Sequence, residues 1–455
     1  MPCNIPAAKL TGTTIDNGRF KLLEPLGRGS GGVVFRSLNT VTQEHYAVKC
    51  VRKAQKGSRQ YTFQQRELRF HRTVSNHRNV ITLHRIVDEE PYMFLVMDLC
   101  EGGDLFKFLT EKGTFRRNNQ MVKNVFVQLI DAVDACHRNG IYHRDIKPEN
   151  IMCNEDGSKI RLGDFGLSTD TKWSKNFGAG TSAYMSPGMH ANALRPLVSS
   201  NVKAYSSECI GVVGGMETYS APSNDIWSLG VILTSMISGH NPWRQAVMSD
   251  DCFRTYVNNP GFFRYMLPIS TAADSILRSI FTNYDNRISL RRLRRMVLAV
   301  DTFFMTDDEI ANASTYVQMA AASYLCDAHP SSSRSQPGGN DDLVVEEVPL
   351  SHVVENEKIS SDEVVLSPLN PRPQSEAHSH LSTLVSSDVS DMVNTSSHPR
   401  KSPPPPQRMP SYNDLMAADA DDLENGRGQT KGRRVCGSDA PVSLLRRWME
   451  RIFVQ

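Results

Sequence analysis

Between residues 20 and 98 apolar and polar side chains alternate in short runs, FKLLEPL, GGVVFRSLN, HYAVKCV and YMFLVMDL. A two-residue period puts neighbouring side chains on opposite faces of a strand, so these runs predict a small sheet-rich lobe. One segment, Gln64 to Thr73, departs from the alternation and predicts an amphipathic helix. Beyond Gly102 and Gly103 the apolar spacing becomes three and four residues, as in Met121 to Asn139 and Asn224 to Gly239. A second lobe over about 99–304 is therefore expected to be mostly helix. After Phe304 the pattern lapses into Ser, Pro, Asp, Glu and Asn, as in SSSRSQPGGNDD and RKSPPPPQRMP. Such stretches bury too little apolar surface to offset the entropy of ordering them. Residues 1–19 read as a flexible lead-in and 305–455 as a largely disordered tail. Only 443–455 recovers a helical pattern, with Leu444, Leu445, Trp448, Ile452 and Phe453 against Arg446, Arg447 and Arg451.

Composition narrows the classes. With 455 residues and 39% apolar side chains the chain can build a sizeable core. Its 51 basic and 49 acidic side chains give a net charge of +2, without the basic excess of a nucleic-acid binder. Nine scattered cysteines with no C-x-x-C pair argue against a zinc or redox motif and read as reduced thiols. No run approaches about 18 apolar residues, so no transmembrane segment is expected. The opening MPCNIPAAKLTG lacks a signal peptide's charged start and apolar run, and the expected location is cytoplasm, nucleus or both.

Candidate chemistry begins at Gly27-Arg28-Gly29-Ser30-Gly31-Gly32-Val33-Val34. Glycines such as Gly27, Gly29 and Gly32 let backbone amides approach phosphate oxygens that a Cβ would hold away. Taken alone the run also fits a ligand-free hairpin or a dinucleotide-binding turn, whereas a Walker loop is excluded by the missing G-K-[ST]. Lys49 follows 22 residues after Gly27, at the end of a strand, and Glu67 lies 18 residues further on the expected helix. A carboxylate there can hold the ammonium for α- and β-phosphate contact; an ordinary surface charge is the plainer alternative. Then come His143-Arg144-Asp145-Ile146-Lys147-Pro148-Glu149-Asn150 and Asp164-Phe165-Gly166. Phosphoryl transfer needs a carboxylate to take the hydroxyl proton, ligands for Mg²⁺ and a cation for developing charge. Asp145 fits the base, Lys147 the γ-phosphate contact, and Asn150 with Asp164 the metal ligands, while His143 reads as structural.

On these motifs the chain resembles the eukaryotic protein kinase superfamily over about 285 residues. The resemblance implies an α+β bilobal fold: a small antiparallel sheet with one key helix, then a large helical lobe. ATP and Mg²⁺ are the implied cofactors and proteins the implied substrates. By similarity Met97 in LVMDLC is the gatekeeper, the backbones of Asp98 and Cys100 bond adenine, and Leu26, Val34, Ala47 and Met152 enclose its ring. Lys147 together with Gly180-Thr181 matches the serine/threonine pattern. Asp104 and Glu149 stand where relatives read basic residues of the substrate. Arg144 beside Asp145 implies docking of a phosphorylated activation loop, yet Phe177 occupies the usual phosphoacceptor position, leaving Thr171 and Ser174 as nearby hydroxyls. Further stretches, DTKWSKNFGAGTSAYMSP and YSAPSNDIWSLGVILTSMISGHNPWRQAV, are similar to fungal serine/threonine kinases linked to nutrient and meiotic control.

The chain departs from that pattern at Gly188, where the family has a glutamate that pairs with a late arginine, here Arg287. A buried arginine without its partner would cost several kcal/mol. Glu208 stands 20 residues later, and deleting residues 188–207 restores a normal run into Asp225-Ile226-Trp227. Codon arithmetic permits an unspliced intron between Gly188 and Ser207; a true loop insertion is the alternative. If translated, the insert falls beside the peptide-binding segment and favours a catalytically impaired, kinase-fold scaffold. In the tail, Lys401 to Pro406 (KSPPPP) fits a polyproline ligand for an SH3-like domain, and Lys431 to Arg434 a fragment of a nuclear signal.

Overall fold

The computed structural model describes residues 7–29, 31–190, 210–213, 216–259 and 261–326. The expected helix at 443–455, the proline run, the KGRR tetrapeptide and Glu208 lie outside them.

The alternating runs form one six-stranded antiparallel sheet: β1 (Thr14–Ile15), β2 (Phe20–Gly29), β3 (Gly32–Asn39), β4 (His45–Arg52), β5 (Leu83–Glu89) and β6 (Tyr92–Asp98), in the order β1-β2-β3-β4-β6-β5. The pleat sorts β3 by face. Val33, Phe35 and Ser37 are buried and the first two join Leu22, Val48, Cys50 and Val96 in the small-lobe core, while Val34 and Arg36 face the other way. Gly32 closes the β2–β3 turn at φ 139°, and a Cβ there would come 2.2 Å from the Cys50 carbonyl oxygen. After a short helix α1 (Ala7–Leu10), the helix of this lobe, α2 (Arg59–Val74), starts five residues before the expected Gln64. Ser58 fixes that start by accepting a hydrogen bond from Tyr61 N.

In the larger lobe α3 (Leu105–Thr110) is capped by Asp104, which accepts from Lys107 N. Next, α4 (Asn119–Arg138) buries Val122, Val125, Phe126, Leu129, Ile130 and Val133, the three- and four-residue stripe read from the sequence. Two small sheets belong to this part of the chain: β7 (Gly103–Asp104), β8 (Ile151–Cys153) and β9 (Ile160–Leu162) form one, and β10 (Trp173–Ser174), β11 (Ile210–Val213) and β12 (Met216–Ser220) the other. Helix α5 (Ala221–Ser238) is buried along nearly its whole length, its Trp227 packed against Trp243, Phe253 and Phe281. Around this aromatic cluster lie α6 (Asp251–Asn258), α7 (Phe262–Met266), α8 (Thr271–Ile280) and α9 (Leu290–Ala299).

Two boundaries differ from the sequence expectation. The lead-in 1–19 is not free from residue 7 onward: β1 pairs with β2, Ile15 is buried, and Asp16 N donates to Glu89 Oε1 at 2.8 Å. The large lobe does not stop at 304 either. Helices α10 (Asp307–Ala311) and α11 (Thr315–Cys326) follow, with Val317, Ala321 and Tyr324 buried and the Tyr324 hydroxyl donating to Met236 O at 3.1 Å. Apolar residues fall on all sides of α11, with Tyr316, Val317, Met319 and Tyr324 among its alanines, so no one-faced stripe stands out in sequence.

Candidate active site

The floor of the glycine hairpin is a strand pair. Gly27 lies opposite Val34 and Val34 opposite Lys49, so the turn folds back over the Lys49 ammonium. Gly31 lies over the ammonium: a Cβ there would stand 3.3 Å from Lys49 Nζ. Lys49 Nζ reaches Glu67 Oε1 at 2.9 Å and Asp164 Oδ1 at 3.3 Å. Glu67 is thus a partner, not a surface charge. Burial works against the ammonium, yet Asp164 and Glu67 more than offset it and hold the Lys49 pKa above the ordinary lysine value. In return Lys49 keeps the Asp164 carboxyl below the usual range. Asp164 sits at φ 58°, and Phe165 after it is buried between the rings of His71 and His143, with centroids 5.0 and 5.1 Å away.

The expected adenine-facing residues lie on two sheets. Ala47 pairs directly with Met97 across β4 and β6, and Met152 pairs with Asp104. Val34, Met97, Cys100 and Met152 are half-buried and Leu26 is 48% exposed, so each keeps surface available to a ligand. Asp98 N donates to Thr82 O at 3.2 Å. Its side chain accepts from Thr82 N and His84 and pairs with Arg161; burial pushes that carboxyl up, but these bonds outweigh it and the pKa is lowered. Among the described residues, this carboxylate therefore ties the end of β6 to β9. Nothing in the sequence flagged Arg161.

Around Asp145 the geometry is denser. Asn150 Nδ2 donates to Asp145 O at 2.8 Å and to Oδ2 at 3.1 Å, and Lys147 Nζ lies 3.1 Å from Oδ2. The Thr181 hydroxyl donates to Asp145 Oδ1 at 2.9 Å and accepts from Lys147 Nζ at 2.9 Å. Beneath them Asp225, wholly buried near the start of α5, accepts from His143 N at 2.8 Å, Arg144 N at 2.7 Å and His137 Nε2 at 2.8 Å. His143 itself bonds Gly163 O through Nε2 at 2.9 Å, in keeping with a structural histidine. A sequence match for residues 20–293 accompanies this geometry, to the family described as "Protein kinase domain". The chain belongs to that family.

Among curated proteins, the kinase domain is similar to the "Negative regulator of sexual conjugation and meiosis" of Schizosaccharomyces pombe, 39% identical over 280 residues, covering 61% of this chain and 59% of that protein. It is 33% identical over 305 residues to the same yeast's "Serine/threonine-protein kinase ksp1", covering 64% and 58%. The Saccharomyces cerevisiae "Serine/threonine-protein kinase VHS1" is 34% identical over 241 residues, covering 52% and 50%. The chain thus spans between half and three fifths of these relatives' lengths.

In the kinase domain the late arginine has several partners among the described residues. Arg287 is half-buried and donates to Ile280 O at 2.9 Å, Thr282 O at 2.6 Å, and Ser223 O and Oγ at 2.9 and 2.7 Å, with its guanidinium 5.0 Å from the Trp227 ring centroid. These bonds and the aromatic face mean that Arg287 is not left alone. At the start of the insert Pro187–Met189 form a 3₁₀ turn, Met189 is fully buried, and its carbonyl accepts from Gly178 N at 2.9 Å.

Asn150 and the segment that carries Asp164 are joined through the backbone. Gly163 N donates to Asn150 O at 2.9 Å, which sets Asn150 beside the residue preceding Asp164, and Asn150 turns its amide nitrogen to Asp145. Among the described residues no three His, Cys, Asp or Glu side chains form a ready-made metal cluster. Magnesium held by few protein oxygens together with substrate phosphates needs none.

Proposed function

We propose that this chain is a serine/threonine protein kinase, transferring a phosphoryl group from ATP to serine or threonine hydroxyls of proteins. The observation that carries the reading is the Thr181 hydroxyl lodged between Asp145 and Lys147, 2.9 Å from each. A carboxylate that accepts from an alcohol, flanked by an ammonium, is the arrangement needed to orient an attacking hydroxyl and take its proton. Asp145 is the base in this reading. Lys147 stabilises charge that develops beside it, and Lys49, held by Glu67, positions phosphate oxygens beneath the glycine hairpin. Adenine rests against Leu26, Val34, Ala47, Met97 and Met152, with backbone bonds at Asp98 and Cys100. Asn150 and Asp164 would hold Mg²⁺, which when bound neutralises phosphate charge.

The test is transfer of labelled phosphate from ATP with Mg²⁺ to a serine/threonine peptide library by the full chain, beside Asp145→Asn. The variant is expected to lose about 10²–10⁴-fold in turnover. Transfer that is absent in the wild type, or equal in the two, would sink the reading.

A further inference from the structure

Arg144 precedes the proposed base and is 3% exposed, at φ 68°. Its guanidinium donates to the Leu167 carbonyl at 2.6 Å, the Ser174 hydroxyl at 3.4 Å and the Tyr219 hydroxyl at 3.3 Å. All three acceptors are neutral. The guanidinium also lines an open cavity of about 330 Å³ with Arg66, Thr171 and Lys175. A buried cation needs acceptors that stay in place, so what fixes the Tyr219 hydroxyl matters.

Three features fix it. Tyr219 is 1% exposed, and in the β10–β12 ladder it lies opposite Ser174, the other hydroxyl on Arg144. Ala221 N continues the pairing to Lys172 O at 2.9 Å. Phe177 completes the support with its ring centroid 5.6 Å from that of Tyr219. At Phe177 phosphorylation is chemically impossible, and the ring instead buttresses a phenol that reaches the arginine.

We propose that Tyr219 is a positioning residue: with Ser174 it holds Arg144, and through it the adjoining Asp145, so that the loop is set for transfer without a loop phosphate. This rests on the kinase reading above. In kinetic terms the phenol acts on turnover and leaves ATP binding, some residues away, nearly untouched.

The experiment compares the full chain, Tyr219→Phe and Tyr219→Phe/Ser174→Asp in the peptide assay, before and after treatment with a protein phosphatase. Tyr219→Phe keeps the ring against Phe177 and is expected to lose about tenfold in kcat with the KM for ATP within about twofold. Ser174→Asp, which offers Arg144 a carboxylate, restores part of that loss, and phosphatase leaves the wild-type rate unchanged. A Tyr219→Phe chain as active as an active wild type overturns this inference alone. So does a kcat loss that Ser174→Asp leaves unrestored, as a packing role would give, or a wild type silenced by phosphatase with loss of a stoichiometric phosphate at Thr171 or Ser174. A wild type that transfers nothing removes the kinase reading, and this inference with it.

Discussion

The two ends of the cleft are held by different physics. At one end Lys49, Glu67 and Asp164 come from β4, α2 and the segment after β9, joined by two ion pairs whose carboxylates remain 22% and 51% exposed. At the other, Asp145 and its neighbours hang from Asp225, a carboxylate with no exposure that takes two backbone N–H groups and a histidine. Solvent competes for the first set and is excluded from the second. The ionic end therefore tolerates rearrangement of its partners at small cost, whereas the buried end fixes the reacting groups.

Removing each anchor breaks the comparison most directly. Asp225→Ala strands two buried backbone donors and a histidine, and its expected cost is about 3–5 kcal/mol, read as a lower urea midpoint at unchanged slope. A loss below about 1 kcal/mol would show that water or a shifted loop replaces the carboxylate. Lys49→Ala is the counterpart. Its unfolding free energy is expected to stay within about 1 kcal/mol of wild type, since its partners are partly solvated. Phosphoryl transfer should nonetheless fall about 10²–10³-fold, because a positioned cation works on charge that develops during reaction. Equal damage to stability from both substitutions would erase the distinction.

Which parts of this were legible in the sequence follows from the same contrast. Lys49 and Glu67 announce themselves because strand and helix periodicities place both, and Asp145, Asn150 and Asp164 stand in runs whose residue types fit one chemistry. Asp225 was recognised only by its motif: a carboxylate inside a buried helix has no periodic signal for what it accepts. The Thr181 hydroxyl on Asp145 and the Tyr219 hydroxyl on Arg144 join residues 36 and 75 positions apart. Tertiary pairing alone brings them together. The expected bounds at 20 and 304 fall inside the ordered segment for the opposite reason, since β1 is only two residues long and α11 carries apolar residues on all sides, so neither has a one-faced period.

Acid sharpens the comparison with the smallest effect. His190 and His240 of the large lobe are both pushed down to about 4 by burial, partly countered at His190 by its bond to the Met185 backbone. The unfolded chain takes up protons at these histidines near pH 6.5, while the native one stays neutral until about 4. Between those values the unfolded state binds more protons, so stability must fall as pH falls. Asp164 behaves differently. Its folded pKa lies below the ordinary 3.8, so its contribution persists above that value and is lost only as pH drops through the depressed one. Lowering pH from 7 to 4.5 should therefore loosen the large lobe while the Lys49–Asp164 pair remains charged. A loss on the order of 1 kcal/mol per histidine is expected after allowing for partial exposure, measured as the pH dependence of the urea midpoint. The double variant His190→Gln/His240→Gln should flatten that slope. An unchanged slope would place the acid sensitivity elsewhere, and a variant that also shifts the Lys49→Ala difference would show the two ends to be coupled.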